Sequence, residues 1–312
     1  MVCQKALGCA EGTLKNRREN KAKRTGRDRI AAARGAHLRR WKWGVVFLTA
    51  TVMAAVLVGM ILVRGEGSEQ TPPGPMKAAI VDQNYANVPN DSFIEQARRY
   101  LSDYGFAVDL FQGDEVTVET YRKLPKEGYR LIIFRVHSGM RSNTEESNYG
   151  TWLFTSEPYS ETRYVSQQRS NRIAKARLED SDRYPWLFAV GSKFVAGSMD
   201  GRFDNTVVII MGCGPMHLQD MAQAFIEKGA SVCLGWDERA GWGYLDDATA
   251  RLVERLSLRG ETVDEAVSTV MAEMGRDPVY GATLEYHPAE AGDRDLGQLL
   301  GMPEYPLEQG SQ

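Results

Sequence analysis

From Met76 onward, short continuous hydrophobic runs alternate with segments whose apolar residues recur every three to four positions. The runs KAAIVD (77–82), FAVDLF (106–111) and YRLIIFRV (129–136) have strand length, and the stretches between them read as helices. In the first helix Phe93, Ala97, Tyr100, Leu101 and Tyr104 share one side, Ser92 and Glu95 form a capping box, and Gly105 ends it. A second helix is expected over 114–124. The resulting βαβαβ order predicts an α/β domain with a mostly parallel sheet and helices on both faces.

The rhythm breaks over 138–185, a polar and mixed region that reads as a hairpin or loop excursion. It resumes with a strand at 187–190, a short helix over 193–199 and the apolar strand NTVVIIMG at 205–212. An amphipathic helix over 217–228 and the strand SVCLGW at 231–236 follow. Helices are expected over 246–258 and 263–274, the second opened by Thr262 with Glu265 as its box partner, then a last strand over 282–286. The final 25 residues carry few periodic signals and read as an irregular tail.

Ahead of this body, 44–63 (GVVFLTATVMAAVLVGMILV) is a stretch of 20 residues without a charge. At about 1.5 Å per residue it reaches about 30 Å, the thickness of a bilayer core. A signal peptide would have a shorter apolar core, a start nearer the N-terminus and a small-residue cleavage site, and a buried soluble helix is the other alternative. Trp41 and Trp43 suit the headgroup level, with Arg39, Arg40 and Lys42 before the span and only Arg64 just after it. That asymmetry predicts a single-pass membrane protein with a cytoplasmic N-terminus and the C-terminal domain outside the cytoplasm. The expected organisation is a basic tail (1–42), a transmembrane helix (43–63), a Gly/Pro/Ser/Glu-rich linker (64–75), an α/β domain (76–290) and an irregular tail (291–312).

Composition is that of a folded chain, with 43% hydrophobic and 25% charged residues. The net charge of −3 conceals a division, because residues 1–42 hold 13 Lys/Arg against 3 Asp/Glu and the remainder holds 25 against 38. Beside a membrane span the basic tail is explained by topology and anionic lipid contact, and with no aromatic residue among its basic ones before Trp41, nucleic acid is not an expected partner. The four cysteines, at 3, 9, 213 and 233, form neither a zinc quartet nor a disulfide framework, so no metal and no cofactor is expected.

Ligands of open α/β sheets sit beyond the carboxyl ends of the strands. There the sequence offers Val136-His137-Ser138-Gly139 after one apolar run and Gly212-Cys213-Gly214-Pro215 after another. If the two strands are parallel neighbours, a thiol and its base emerge on one edge. A thiol pKa falls beside a histidinium or at a helix N-terminus. The amides of Gly139 and Cys213 are candidate oxyanion donors. The same residues are also compatible with a small core cysteine and a plain turn. His217 competes with His137 as the partner of Cys213, while Cys233 reads as core. Trp236, Asp237 and Glu238 follow the strand at 231–236, where an aromatic wall with an acidic pair would accept a basic side chain, or where a solvated acidic turn would stand.

The segments LIIFRVHSG (131–139) and TVVIIMGC (206–213), in this order and strand context, resemble the caspase-like superfamily of cysteine peptidases, which includes caspases, legumain, separase, clostripain and gingipains. The likeness covers about 77–275. It implies a caspase-like three-layer sandwich, preceded here by the transmembrane helix. It further implies a cysteine endopeptidase in which His137 assists proton transfer, Cys213 attacks the scissile carbonyl, and no third acidic residue is strictly required. Members cleave after a selected side chain, often Arg, Lys, Asp or Asn, and Asp237, then Glu238, are the candidates for a basic preference. Two departures stand out: Ser138 where the family usually has Gly directly after the histidine, and Gly212 where Ala commonly precedes the cysteine.

The partner expected is therefore a peptide or protein substrate, with membrane lipids around the span. The alternatives are an inactive caspase-like domain that binds a peptide or an envelope protein, and a different α/β hydrolase or transferase. VDQNYANVPN (81–90) has no glycine for a dinucleotide turn, and no GxSxG elbow occurs.

Overall fold

The computed structural model describes residues 76–140, 150–178 and 183–302. The expected transmembrane segment, the basic tail and the linker lie outside the described residues. Among the described residues no helix is long and apolar enough to cross a membrane.

The strands are β1 (Met76–Asp82), β2 (Phe106–Gln112), β3 (Tyr129–Arg135), β4 (Ser138–Met140), β5 (Thr151–Pro158), β6 (Ile173–Ala176), β7 (Leu187–Gly191), β8 (Thr206–Met211), β9 (Ala230–Trp236) and β10 (Leu284–His287). The helices are α1 (Asp91–Tyr104), α2 (Val118–Lys123), α3 (Val165–Arg169), α4 (Ser192–Ser198), α5 (Asp220–Glu227), α6 (Trp242–Glu254), α7 (Val263–Met274) and α8 (Leu296–Leu299). Six strands form a central sheet in the order β10-β9-β8-β3-β1-β2, parallel except for β10. The chain moves outward from β1 to β2 on one side and from β3 to β8 and β9 on the other. The carboxyl ends of β1 and β3 therefore flank the topological switch point, where such sheets place their ligands.

Period-two alternation divides the sheet's side chains between two cores. Ile80, Leu131, Ile133, Val207, Ile209 and Leu234 face α1, α6 and α7. Val81, Ile132, Phe134, Val208 and Ile210 face α2, α4 and α5. Because both faces of β1, β3, β8 and β9 are covered, these inner strands read as continuous apolar runs, which is why they were legible.

Of the two readings of 138–185, the described residues agree with the hairpin, since β4 and β5 pair antiparallel, and they add further strand. The region supplies β4, β5 and β6, which join β7 in an antiparallel sheet of order β4-β5-β7-β6. Leu153, Ile173, Phe188 and Val190 press one face of this sheet onto the central core, while Trp152, Phe154, Ala174 and Ala189 make a small cluster on the other. Buried on both faces, TWLF shows no alternation, and three- to five-residue strands carry little pattern of their own.

Three helix starts differ from expectation. Asn90, rather than Ser92, caps α1, accepting the Phe93 N–H at 3.1 Å while its Nδ2 donates to Asp246 at 2.8 Å. Asp220 opens α5, because residues 214–217 turn back against β9, with the Met216 N–H on the Trp236 carbonyl at 3.1 Å. Trp242 opens α6, behind Gly241, whose N–H donates to Asp277 at 3.0 Å. The end of the chain also departs from an irregular tail: Ala291, Leu296, Leu299 and Leu300 are buried in the same core as α1 and α6.

Candidate active site

β3 and β8 are adjacent and parallel, with Arg135 paired to Met211. The Val136 N–H extends the ladder, donating to the Met211 carbonyl at 3.1 Å. His137 and Cys213 each lie two residues beyond that last pair, on strands about 4.8 Å apart. Alternation counted from Ile133 assigns His137 to the α6 side of the sheet, where Trp242 meets it, while Cys213 lies in the bend after β8 and no hydrogen bond joins its sulfur to His137 Nε2.

His137 is held from three directions. Its N–H donates to Gln83 Oε1 at 3.0 Å, and its carbonyl accepts the Phe154 N–H at 2.9 Å. Its ring meets Trp242 edge-on at 5.0 Å between centroids. The ring is half-buried, and Nε2 is shielded from solvent with no hydrogen-bond partner among the described residues. Burial, reinforced by the Arg135 guanidinium, lowers its pKa to about 4. The imidazole is thus neutral near pH 7, a weak acceptor that returns a proton readily.

Cys213 is a free, partly exposed thiol. Its carbonyl accepts the Ser138 hydroxyl at 2.9 Å, and its N–H has no acceptor among the described residues. The expected influence of a helix N-terminus is weaker than the sequence suggested. The helix begins at Asp220, and that residue's own carboxylate already sits in its first turn, accepting from Thr151 N and Oγ1. Gly139 lies in β4 opposite Trp152, at the hydrogen-bonded pair that follows Phe154 N–H to the His137 carbonyl, so the β4–β5 ladder takes the N–H that the sequence offered as an oxyanion donor.

The two departures from the family pattern touch each other. A Cβ on Gly212 would meet the Ser138 Oγ and would lie 2.8 Å from the Val136 carbonyl oxygen, so glycine there accommodates Ser138.

The three residues after β9 are placed otherwise than a substrate wall requires. Trp236 is completely buried in the core, so its ring offers no surface. Asp237 closes the β9–β10 junction, its Oδ1 accepting the Thr283 N–H at 2.6 Å and its own N–H donating to the Thr283 carbonyl at 3.1 Å. Glu238 is exposed, its carbonyl accepting the Gly214 N–H at 3.0 Å and its carboxylate facing His217 Nδ1 at 3.4 Å. His217 is therefore an exposed residue paired with Glu238. Cys233 is buried, and burial pushes its thiol pKa up. No group of three His, Cys, Asp or Glu residues suited to a metal occurs among the described residues.

Sequence reasoning missed the buried charge cluster beneath His137. Arg135, with no exposed surface, donates to Asp246 through Nε at 2.7 Å and Nη2 at 2.9 Å, to Asp82 Oδ1 at 3.0 Å and to the Val88 carbonyl at 2.9 Å. Burial raises the pKa of Asp82, with Arg135 opposing. The guanidinium also lies 5.3 Å from the Trp242 ring, so one aromatic side chain contacts both Arg135 and His137. The signal was an arginine inside LIIFRV and an aspartate ending AAIVD: a charge within a buried run requires a partner.

Comparison with known proteins adds little. No family model and no curated protein matches the chain. Among solved structures, the Arg-specific cysteine proteinase gingipain R aligns with 65% of this chain and 43% of its own, at 10% identity and a TM-score of 0.39. A structural-genomics target protein from Geobacter sulfurreducens aligns over 71% and 98%, at 11% identity and a TM-score of 0.38. Likeness this remote carries no argument about activity, and the chain spans less than half of the gingipain chain it matches.

Proposed function

We propose that the domain is a caspase-like cysteine endopeptidase in which Cys213 is the nucleophile and His137 the proton carrier. The observation that carries this reading is the in-register exit of His137 and Cys213 from adjacent parallel strands, one with a buried unpartnered Nε2 and the other with a free, partly exposed thiol. Cys213 Sγ adds to the scissile carbonyl carbon as its proton passes to His137 and the carbonyl electron pair moves to oxygen. The N–H of Cys213 is the donor offered to that oxyanion. Collapse breaks the C–N bond, and His137 returns its proton to the departing amine. Water, deprotonated by His137, then cleaves the thioester and the thiol is restored.

The basic-side-chain preference moves to a different carboxylate, since Asp237 and Glu238 are engaged. Asp114 is exposed and has no partner among the described residues. With Gln83, Ser156 and Tyr184 it lines a cavity of about 160 Å³. Gln83 connects that cavity to the His137 main chain. As part of the same proposal, the 43–63 segment anchors the domain outside the cytoplasm; the charge asymmetry of the sequence supports it.

The test is cleavage itself. Full-length protein in detergent is incubated with a mixture of unfolded polypeptides, and new N-termini are identified by mass spectrometry. The reading expects one dominant residue class before the cut, no cuts with Cys213→Ala, and weaker Arg/Lys selection with Asp114→Asn. Equal cleavage by wild type and Cys213→Ala would sink it. An intact, folded protein that cuts nothing favours the inactive peptide-binding domain.

A further inference from the structure

We propose that the Ser138 hydroxyl is the positioning group of this site, clamping the main chain of Cys213 so that the thiol stays matched to His137. The inference deepens the His137/Cys213 reading and rests on it. Ser138 directly follows His137 and is 8% exposed, so its 2.9 Å bond to the Cys213 carbonyl is shielded from competing water.

That bond acts on a peptide unit already pinned at its other end. The N–H of Gly214 donates to the Glu238 carbonyl at 3.0 Å, and Gly214 adopts the left-handed φ of 62°. The peptide plane after Cys213 is thus fixed by the His137 turn on one side and the β9–α6 loop on the other. The N–H before it carries no acceptor among the described residues. His137 is likewise fixed through its own N–H and carbonyl. Ser138 joins these two anchored segments, and Gly212 supplies the room, since a Cβ there would run into Ser138. A hydroxyl in this place holds the cysteine backbone without competing for the thiol or for Nε2.

The experiment is the rate of Cys213 alkylation by iodoacetamide between pH 5 and 9, read by mass on the Cys213 peptide of the full-length protein in detergent. It is run for wild type, Ser138→Ala, Ser138→Thr, His137→Ala and His137→Ala/Ser138→Ala. Loss of one shielded hydrogen bond corresponds to roughly a tenfold slowing at pH 7 in Ser138→Ala. Ser138→Thr should keep the rate within about twofold, because it retains the donor. In the His137→Ala background the serine change should have no further effect. An unchanged rate in Ser138→Ala, or the same slowing with and without His137, overturns the inference. If Ser138→Ala does not fold, Ser138→Thr decides: a folded Thr variant that is tenfold slow overturns it, and one at the wild-type rate supports it. A peptidyl ketone arm separates the two claims. A coupled serine effect with no rate advantage for the peptidyl reagent over iodoacetamide retains the clamp and rejects the peptidase.

Discussion

At the scale of single residues, the protonation of His137 links stability to chemistry. Its folded pKa, lowered by burial and by Arg135 to about 4, lies below the ordinary value of 6.5. The unfolded chain therefore binds a proton at higher pH than the native one. The corresponding stabilisation is fully present above about pH 6.5, declines as pH falls and is exhausted below about pH 4. It amounts to at most about 3 kcal/mol, reduced by the ring's partial exposure. Thermal melts should show that His137→Gln flattens the dependence of Tm on pH between 4 and 6.5; an unchanged slope contradicts a buried neutral imidazole. The Ser138–Gly212 contact gives a second prediction. Gly212→Ala should destabilise the fold by about 1–3 kcal/mol through overpacking, with only part of the loss recovered in Gly212→Ala/Ser138→Gly, because the Val136 carbonyl still crowds the new Cβ. Additive effects in a denaturation cycle would show that the two positions do not interlock.

Among elements, what the sequence revealed and what it hid follow from burial. β1, β3, β8 and β9 are covered on both faces and stood out as apolar runs, which located His137 and Cys213 at strand ends. The antiparallel sheet was legible only as a hairpin alternative and the strand at 187–190, because its other strands are short or, in TWLF, buried on both sides. Yet this sheet orients the site: β5 takes the His137 carbonyl through Phe154 N–H. Trp236 was misplaced because a residue ending a strand can face either the cleft or the core, and period two puts it beside Leu234 in the core. Asp237 was legible as an acid but not as a junction residue, since Thr283 lies far away in sequence. The C-terminal segment yields a prediction of its own. Leu299 is fully buried, so Leu299→Ala should cost about 2–5 kcal/mol in chemical denaturation, whereas a true tail would cost nothing.

For the molecule as a whole, the buried Arg135 cluster joins the three elements that frame the site: β1 through Asp82, β3 through Arg135 and α6 through Asp246. Removing one member strands a buried charge. Asp246→Ala should lower stability by about 3–5 kcal/mol, measurable by urea unfolding, while a loss below about 1 kcal/mol would show the cluster to be dispensable. Because Arg135 and Trp242 also border His137, damage to the cluster and damage to the site go together.

The central claim is that Cys213, served by His137, is the nucleophile of a peptidase. The most direct measurement is intact-mass detection of a covalent adduct after treating the full-length protein with peptidyl acyloxymethyl ketones bearing Arg, Lys, Asp or Asn next to the reactive carbon. The account predicts a single adduct with the Arg or Lys reagent, absent in Cys213→Ala and formed at least about 100-fold more slowly in His137→Ala. An adduct that persists in Cys213→Ala, or none from any of the four reagents on a folded protein, would contradict it.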